Sequence, residues 1–301
     1  MIEVVYDGNL GNNLFQYCFG RLLAERLGYR LIAEPILGFS RTNDVVDGFA
    51  YDNGRTLILR GQKPDLGFLY ENNPQYRILL TGYFQRTEYY QAHRGRIKQW
   101  LAMDHGADDI CVKPSDIVVG VRRGRDYIPR HGLPLSYYES ALASIGYERI
   151  FICTDSPSDP LVKYLKKSYD AIVRPPGALD NLAFIIRFKK IIISNSTFLW
   201  WGAFLSDADR IVFPRPNNGF WSANEVLSKN IALEVDSPEY VYLDCEKYVS
   251  KFARERIANF ADDSIANIRH YLKNIFPFLA SRKVPPPTYR FSEDFDEDPR
   301  K

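Results

Sequence analysis

Arg122, Arg123 and Arg125 stand directly after the apolar run Ile117-Val118-Val119-Gly120-Val121, with Asp126 next in line. A planar guanidinium makes paired hydrogen bonds to two phosphate oxygens. Arginines gathered at a strand end therefore suit an anion and can stabilise charge building on a departing diphosphate without a metal. A surface cluster whose arginines pair with Asp126 and other carboxylates is the plainer alternative. Ser194-Asn195-Ser196-Thr197 follows a second apolar run, Ile191-Ile192-Ile193, and opens a helical segment containing Trp200 and Trp201. Hydroxyls and backbone N–H groups at a helix start can face an anion, a role compatible with ordinary N-capping.

Other segments carry thinner signals. Thr154-Asp155-Ser156-Pro157 ends the run Phe151-Ile152-Cys153. Asp155 there can accept hydrogen bonds from a nucleobase or ribose, or cap a helix ahead of the proline. Gly8-Asn9-Leu10-Gly11-Asn12-Asn13 has neither the GxGxxG spacing nor the lysine of a P-loop. Its glycines suit a tight turn, while the amides of Asn12, Asn13 and Gln16 can read sugar hydroxyls across a cleft. Asp207-Ala208-Asp209 has the DxD spacing of a divalent-ion site, but after a helix and before a strand it reads as a solvated helix end. The acidic run from Glu293 to Asp298 reads as exposed charge.

These residues need a scaffold with several strand ends on one rim. Ile2 to Tyr6 predicts a strand, Asp7 to Asn13 a turn, and Leu14 to Leu27 a helix closed by Gly28. After a polar stretch at Asp104 to Ser115 the alternation becomes regular, with strands at 117–121, 150–153, 171–173, 191–194 and 210–213 and helical stretches between them. That pattern predicts a parallel sheet flanked by helices, with ligands beyond the carboxyl ends of its strands. Beyond Glu239 the sequence predicts two helical segments, 246–260 and 264–276, then a Pro-rich and acidic tail that is mobile.

At 301 residues with 46% hydrophobic content, the chain can form two modest cores. Lys plus Arg, 39, nearly balances Asp plus Glu, 37, so no global field favours a nucleic-acid partner. Cys18, Cys111, Cys153 and Cys245 are too scattered for a metal clip and suit free thiols in a reducing compartment. With no secretory signal pattern and no membrane-spanning apolar stretch, the expected location is cytoplasmic.

Several segments together resemble glycosyltransferase family 11, the α-1,2-fucosyltransferases. Asp7-Gly8-Asn9-Leu10-Gly11-Asn12-Asn13-Leu14-Phe15-Gln16-Tyr17-Cys18-Phe19-Gly20-Arg21 is similar to that family's GGLGNQxFQYAFGR opening, and Thr81-Gly82-Tyr83-Phe84-Gln85 to its GYFQ segment. Ser194-Asn195-Ser196-Thr197-Phe198-Leu199-Trp200-Trp201-Gly202-Ala203 is similar to its NSSFSWWGA segment, and the resemblance extends from Ile2 to Phe213. Departures occur where the family has HxRRGDY: Gly120 replaces the histidine and Arg125 is inserted before Asp126, which gives the Arg-to-Asp spacing of protein O-fucosyltransferases. Asn13 stands where the family has Gln.

The resemblance implies an α/β, GT-B-like fold of two Rossmann-like domains with parallel sheets plus a C-terminal helical extension. The expected division is an acceptor-side domain over 1–110, a nucleotide-sugar-binding domain over 111–238, and a helical extension and tail over 239–301. The implied reaction is inverting transfer of L-fucose from GDP-β-L-fucose to the 2-hydroxyl of a terminal β-galactoside, with no cofactor or metal. The galactose-containing acceptor would belong to a bacterial surface glycan or its precursor, with peripheral contact to a lipid-linked glycan at the inner membrane. In that scheme Arg122 meets the β-phosphate, assisted by Arg123. Ser194, Asn195, Ser196 and Thr197 hold the donor, with Ser196 and Thr197 on the pyrophosphate, and Thr154 and Asp155 meet the nucleoside. Asn12, Asn13 and Gln16 meet the acceptor. Asp126 is the candidate base, with His131 and Asp7 behind it; its other role is to hold Arg122 or Arg123 in place. Two rival readings are a transferase of another nucleotide sugar or fucosyl linkage on the same scaffold, and a catalytically silent sugar-nucleotide or glycan-binding protein.

Overall fold

The structure is a computed structural model that describes residues 1–51, 53–73, 75–103, 110–124, 131–216 and 229–245. Arg125, Asp126 and the helical segments and tail expected over 246–301 lie outside the described residues. The first half runs β1 (Ile2–Val4), α1 (Leu10–Leu27), β2 (Leu31–Ile32), β3 (Thr56–Leu59), α2 (Leu66–Asn72), β4 (Arg77–Leu80) and α3 (Arg94–Trp100). Its strands form a parallel sheet in the order β2-β1-β4-β3. The second half runs β5 (Ile117–Val121), α4 (Leu135–Ala143), β6 (Ile150–Thr154), α5 (Pro160–Ser168), β7 (Ile172–Val173), α6 (Ala178–Ile185), β8 (Lys190–Ile192), α7 (Thr197–Leu205), β9 (Arg210–Pro216) and β10 (Tyr240–Cys245). Its sheet is also parallel, in the order β10-β9-β8-β5-β6-β7. The expected α/β class with two parallel sheets is therefore the observed one.

Every residue of β5 and β6 is buried, as strands covered by helices on both faces require. Their side chains alternate between two cores. Ile117, Val119, Val121, Ile150 and Ile152 face one cluster, while Val118, Phe151 and Cys153 face another that continues into the first half. That shared cluster contains Phe15, Tyr90, Trp200, Trp201 and Phe204, so the halves meet through apolar packing. α7 is buried on nearly all sides, and Arg94 from the first half donates to the carbonyls of Phe204 and Ser206 at its far end.

Three expectations change. α1 begins at Leu10, not Leu14, because the Asn9 carbonyl accepts from the amides of Asn12 and Asn13 at 2.8 and 3.1 Å. The asparagines thus occupy the first helical turn and not a preceding loop. Residues 240–245 form β10, paired in parallel with β9 from Tyr240↔Ile211 to Cys245↔Pro216, so the second sheet passes the expected boundary at 238. The segment around Ala232 returns to the first half: the Thr87 amide donates to its carbonyl at 2.7 Å and its own amide donates to Gln85 at 3.0 Å. Ile231, Leu233 and Val235 enter the shared core, so chain crosses between the halves after 216 as well as near 110.

Candidate active site

β5 and β6 pair in register up to Val121↔Thr154, which makes Arg122 and Asp155 the next residues on adjacent strands at the carboxyl rim. Neighbouring strands lie about 4.8 Å apart, so side chains from these positions are within reach of one another. The Arg122 guanidinium donates through Nη1 to Asp155 Oδ2, and the Arg123 amide donates to Asp155 Oδ1 at 2.8 Å. From the other side, the Arg122 amide donates to Ser194 Oγ at 3.0 Å, tying the arginine loop to the segment after β8. The Arg122 side chain retains 26% of its exposure and is half-buried at the rim.

Arg123 differs from the expectation that it stands beside Arg122 on the donor side. Its side chain has 0% exposure and pairs through Nε with Asp159 Oδ1 at 3.2 Å, because successive residues of an extended segment point to opposite sides. Asp159 also accepts from the Leu161 amide at 2.8 Å, capping α5 ahead of Pro160. The Asp-Pro pair signals that cap in the sequence, but nothing local to it reveals the arginine partner. Thr154 is buried and accepts from the Ser156 amide at 3.1 Å.

The start of α7 supplies the second part of the rim. Ser194, Asn195 and Ser196 are buried, whereas Thr197 is half-buried. Ser194 and Asn195 brace loops: beyond the Arg122 contact, Asn195 Nδ2 donates to the His131 carbonyl at 3.4 Å, which brings His131 beside this segment. Ser196 is the N-cap residue of α7 without a side-chain cap bond of its own.

The third part comes from the other half. Thr197 Oγ1 donates to Asn12 Oδ1 at 3.2 Å, and Gln85 Nε2 donates to the same oxygen at 3.0 Å. Trp201 Nε1 donates to the Gly11 carbonyl at 3.0 Å. A Cβ on Gly11 would stand 2.6 Å from the Phe198 amide nitrogen, so only glycine lets α1 and α7 approach this closely. The two helix starts consequently meet across the junction, each bringing positive dipole ends. The sequence contains both partners of the Asn12–Thr197 contact, but no pattern links positions so far apart.

Gln16 differs from its expected acceptor role. It is fully buried, its Oε1 accepts from the Asp7 amide at 3.1 Å, and its Nε2 donates to the carbonyls of Gly82 and Val5 at 3.1 and 3.4 Å. Both ends of its amide thus fasten the β1 exit to the segment after β4. Asp7 itself is exposed and accepts from Tyr83 Oη at 2.6 Å, while Asn13 is half-buried in the first turn of α1. Gly120 lies under α7: a Cβ there would stand 2.5 Å from Leu199 Cδ2, so the leucine fills the space above that strand position.

Asp207 sits beyond the far end of α7, about 13 Å from its start for a helix of this length. It pairs with Lys98 Nζ at 2.6 Å and Arg94 Nη2 at 3.7 Å, and Asp209 pairs with Lys189 at 3.7 Å. The Lys98 hydrogen bond holds the Asp207 carboxyl below its usual range. Among the described residues no cluster of three or more His, Cys, Asp or Glu could hold a metal ion, and no helix is long and apolar enough to cross a membrane.

No protein-family model and no curated protein match the chain. Among solved structures it is similar to the NodZ alpha-1,6-fucosyltransferase soaked with GDP-fucose, at a TM-score of 0.39 and 14% identity, over 70% of this chain and 93% of that one.

Proposed function

We propose that the protein is a metal-independent, inverting fucosyltransferase that moves L-fucose from GDP-β-L-fucose to the 2-hydroxyl of a terminal β-galactoside. One observation carries the reading: the half-buried Arg122 side chain stands at the rim of a parallel sheet, where the loop after β8 accepts from the Arg122 backbone amide and the start of α7 is hydrogen-bonded to the other half. Such a rim takes a nucleotide, and the arginine with the helix start supplies positive charge for the departing diphosphate. Ser196 and Thr197 then lie against the pyrophosphate, and Asn12 and Asn13 border the acceptor side. Asp126 serves as the base that takes the acceptor proton, with His131 and Asp7 as the other candidates. A donor with another sugar, or another fucosyl linkage, fits the same rim.

A second reading, a sugar-nucleotide-binding protein without turnover, rests on Gly120, which offers no side chain where the resembled family has histidine and whose space Leu199 occupies. Product analysis with GDP-fucose and a panel of β-galactosides, run with GDP and UDP titrations, separates these readings. Fucosylated galactoside and preference for GDP support the transferase. GDP binding with neither transfer nor donor hydrolysis supports the silent binder, and preference for UDP moves the donor to another class.

A further inference from the structure

We propose that Asp155 is the positioning residue for Arg122 and does not read the nucleoside, an inference that rests on the donor site proposed above. Asp155 Oδ2 receives Nη1 of Arg122 while Oδ1 receives the amide of Arg123, so one carboxylate grips both the side chain and the backbone of the arginine loop. Ser194 Oγ holds the Arg122 amide from the opposite side. The loop is therefore clamped at successive amides, and the long arginine stem is fixed at its charged end. A guanidinium carries five N–H donors in a planar fork and can serve a carboxylate and phosphate oxygens together. Both Asp155 oxygens already serve the loop, so a nucleobase or ribose would find only their remaining lone pairs.

A negative charge near a diphosphate site opposes the ligand by Coulomb repulsion. Its presence makes physical sense when the geometry it imposes on Arg122 outweighs that repulsion. The two roles predict opposite signs on a ligand that has phosphates and no nucleoside. For a carboxylate that only reads the nucleoside, its removal leaves pyrophosphate binding unchanged or tighter. For a positioning carboxylate, its removal weakens pyrophosphate and GDP together.

The test titrates inorganic pyrophosphate, GDP and ADP into the full-length protein and its Asp155→Asn variant. The expected result is about tenfold weaker binding of pyrophosphate and GDP alike, the size of one lost charge-assisted hydrogen bond, with the GDP-to-ADP affinity ratio unchanged. In the Arg122→Ala background the same change should add less than about twofold, because the group it positions is gone. Pyrophosphate affinity that holds or rises, a GDP-to-ADP ratio that collapses, or losses that multiply in the double variant overturn the proposal. If Asp155→Asn does not fold, Asp155→Glu is measured by the same titrations, and a displaced guanidinium predicts the same parallel loss in pyrophosphate and GDP. Wild-type protein that binds neither GDP nor pyrophosphate refutes the donor site itself, an outcome read without any variant.

Discussion

At each end of the strand pair β5 and β6, an ion pair joins the residues that directly flank the registered positions. At the amino ends, Asp116 and Arg149 immediately precede the registered residues Ile117 and Ile150; at the carboxyl ends, Arg122 and Asp155 immediately follow Val121 and Thr154. The charges are arranged oppositely. At the amino end the carboxylate is fully buried and accepts from Arg149 Nε at 3.0 Å, Arg149 Nη2 at 2.5 Å and the Lys113 amide at 2.7 Å, so both of its oxygens are partnered. At the carboxyl end the acid grips the arginine loop, and the arginine stands at the rim beside a helix start. The same pair of residue types therefore meets different partners, and only the carboxyl-end pair stands where parallel α/β sheets generally take their ligands.

The largest expected effect breaks the carboxyl end. Arg122→Ala should retain its fold and lose about a hundredfold to a thousandfold in turnover, the usual loss for a pre-organised group that stabilises a departing charge. Arg122→Lys should recover only part, since an ammonium lacks the planar paired geometry. Steady-state kinetics beside thermal melts checks both; wild-type turnover in Arg122→Ala would move the diphosphate elsewhere.

At the amino end the same kind of change should appear in stability and not in chemistry. Asp116→Asn should lower unfolding free energy by about 1–3 kcal/mol, as when a buried acceptor loses charge-assisted partners, with the kcat of folded protein unchanged. Urea melts and single-turnover assays measure the two quantities.

Acid sharpens the contrast. Arg149's hydrogen bonds, with the Lys113 amide, hold the Asp116 carboxyl below its usual range. A depressed folded pKa contributes stability above the unfolded value near 3.9, and that contribution is lost as pH falls through the folded pKa. The melting-temperature gap between wild type and Asp116→Asn should therefore be widest near neutrality and narrow below about pH 4. A gap independent of pH down to the folded value would show that the ionised pair contributes nothing.

The smallest expected effect is at Asp207. Its exposed pairs with Lys98 and Arg94 should be worth less than about 1 kcal/mol, so Asp207→Ala should change neither melting nor turnover appreciably. Activity should persist in EDTA. Loss in EDTA, restoration by manganese and inactivity of Asp207→Ala would together place a metal in the reaction.

Much of this arrangement was legible in particular residues. Ile117 to Val121 and Phe151 to Cys153 are continuous apolar runs ended by polar residues, the pattern of buried parallel strands, and they announce both the sheet and its rim. The beginning of α1 was harder to see, because Gly8, Asn9, Gly11, Asn12 and Asn13 favour turns until Asn9 closes the first helical bonds. β10 is not legible in the sequence, because its six residues, beginning Tyr240-Val241-Tyr242, precede a segment with helical periodicity, and only pairing with β9 identifies them as sheet.

The sequence by itself determined the alternation of strands and helices from β5 to β9, because hydrophobic periodicity and capping chemistry act over a few neighbours. It thereby placed Arg122, Asp155 and Ser194 on strand ends of one sheet. Only the tertiary structure decided how the side chains divide the work. It turned Arg123 inward to Asp159, buried the Gln16 amide beneath the β1 exit, and joined Asn12 to Thr197 across the halves. Those outcomes depend on which buried polar group finds which partner, a competition settled by packing between segments far apart in the chain.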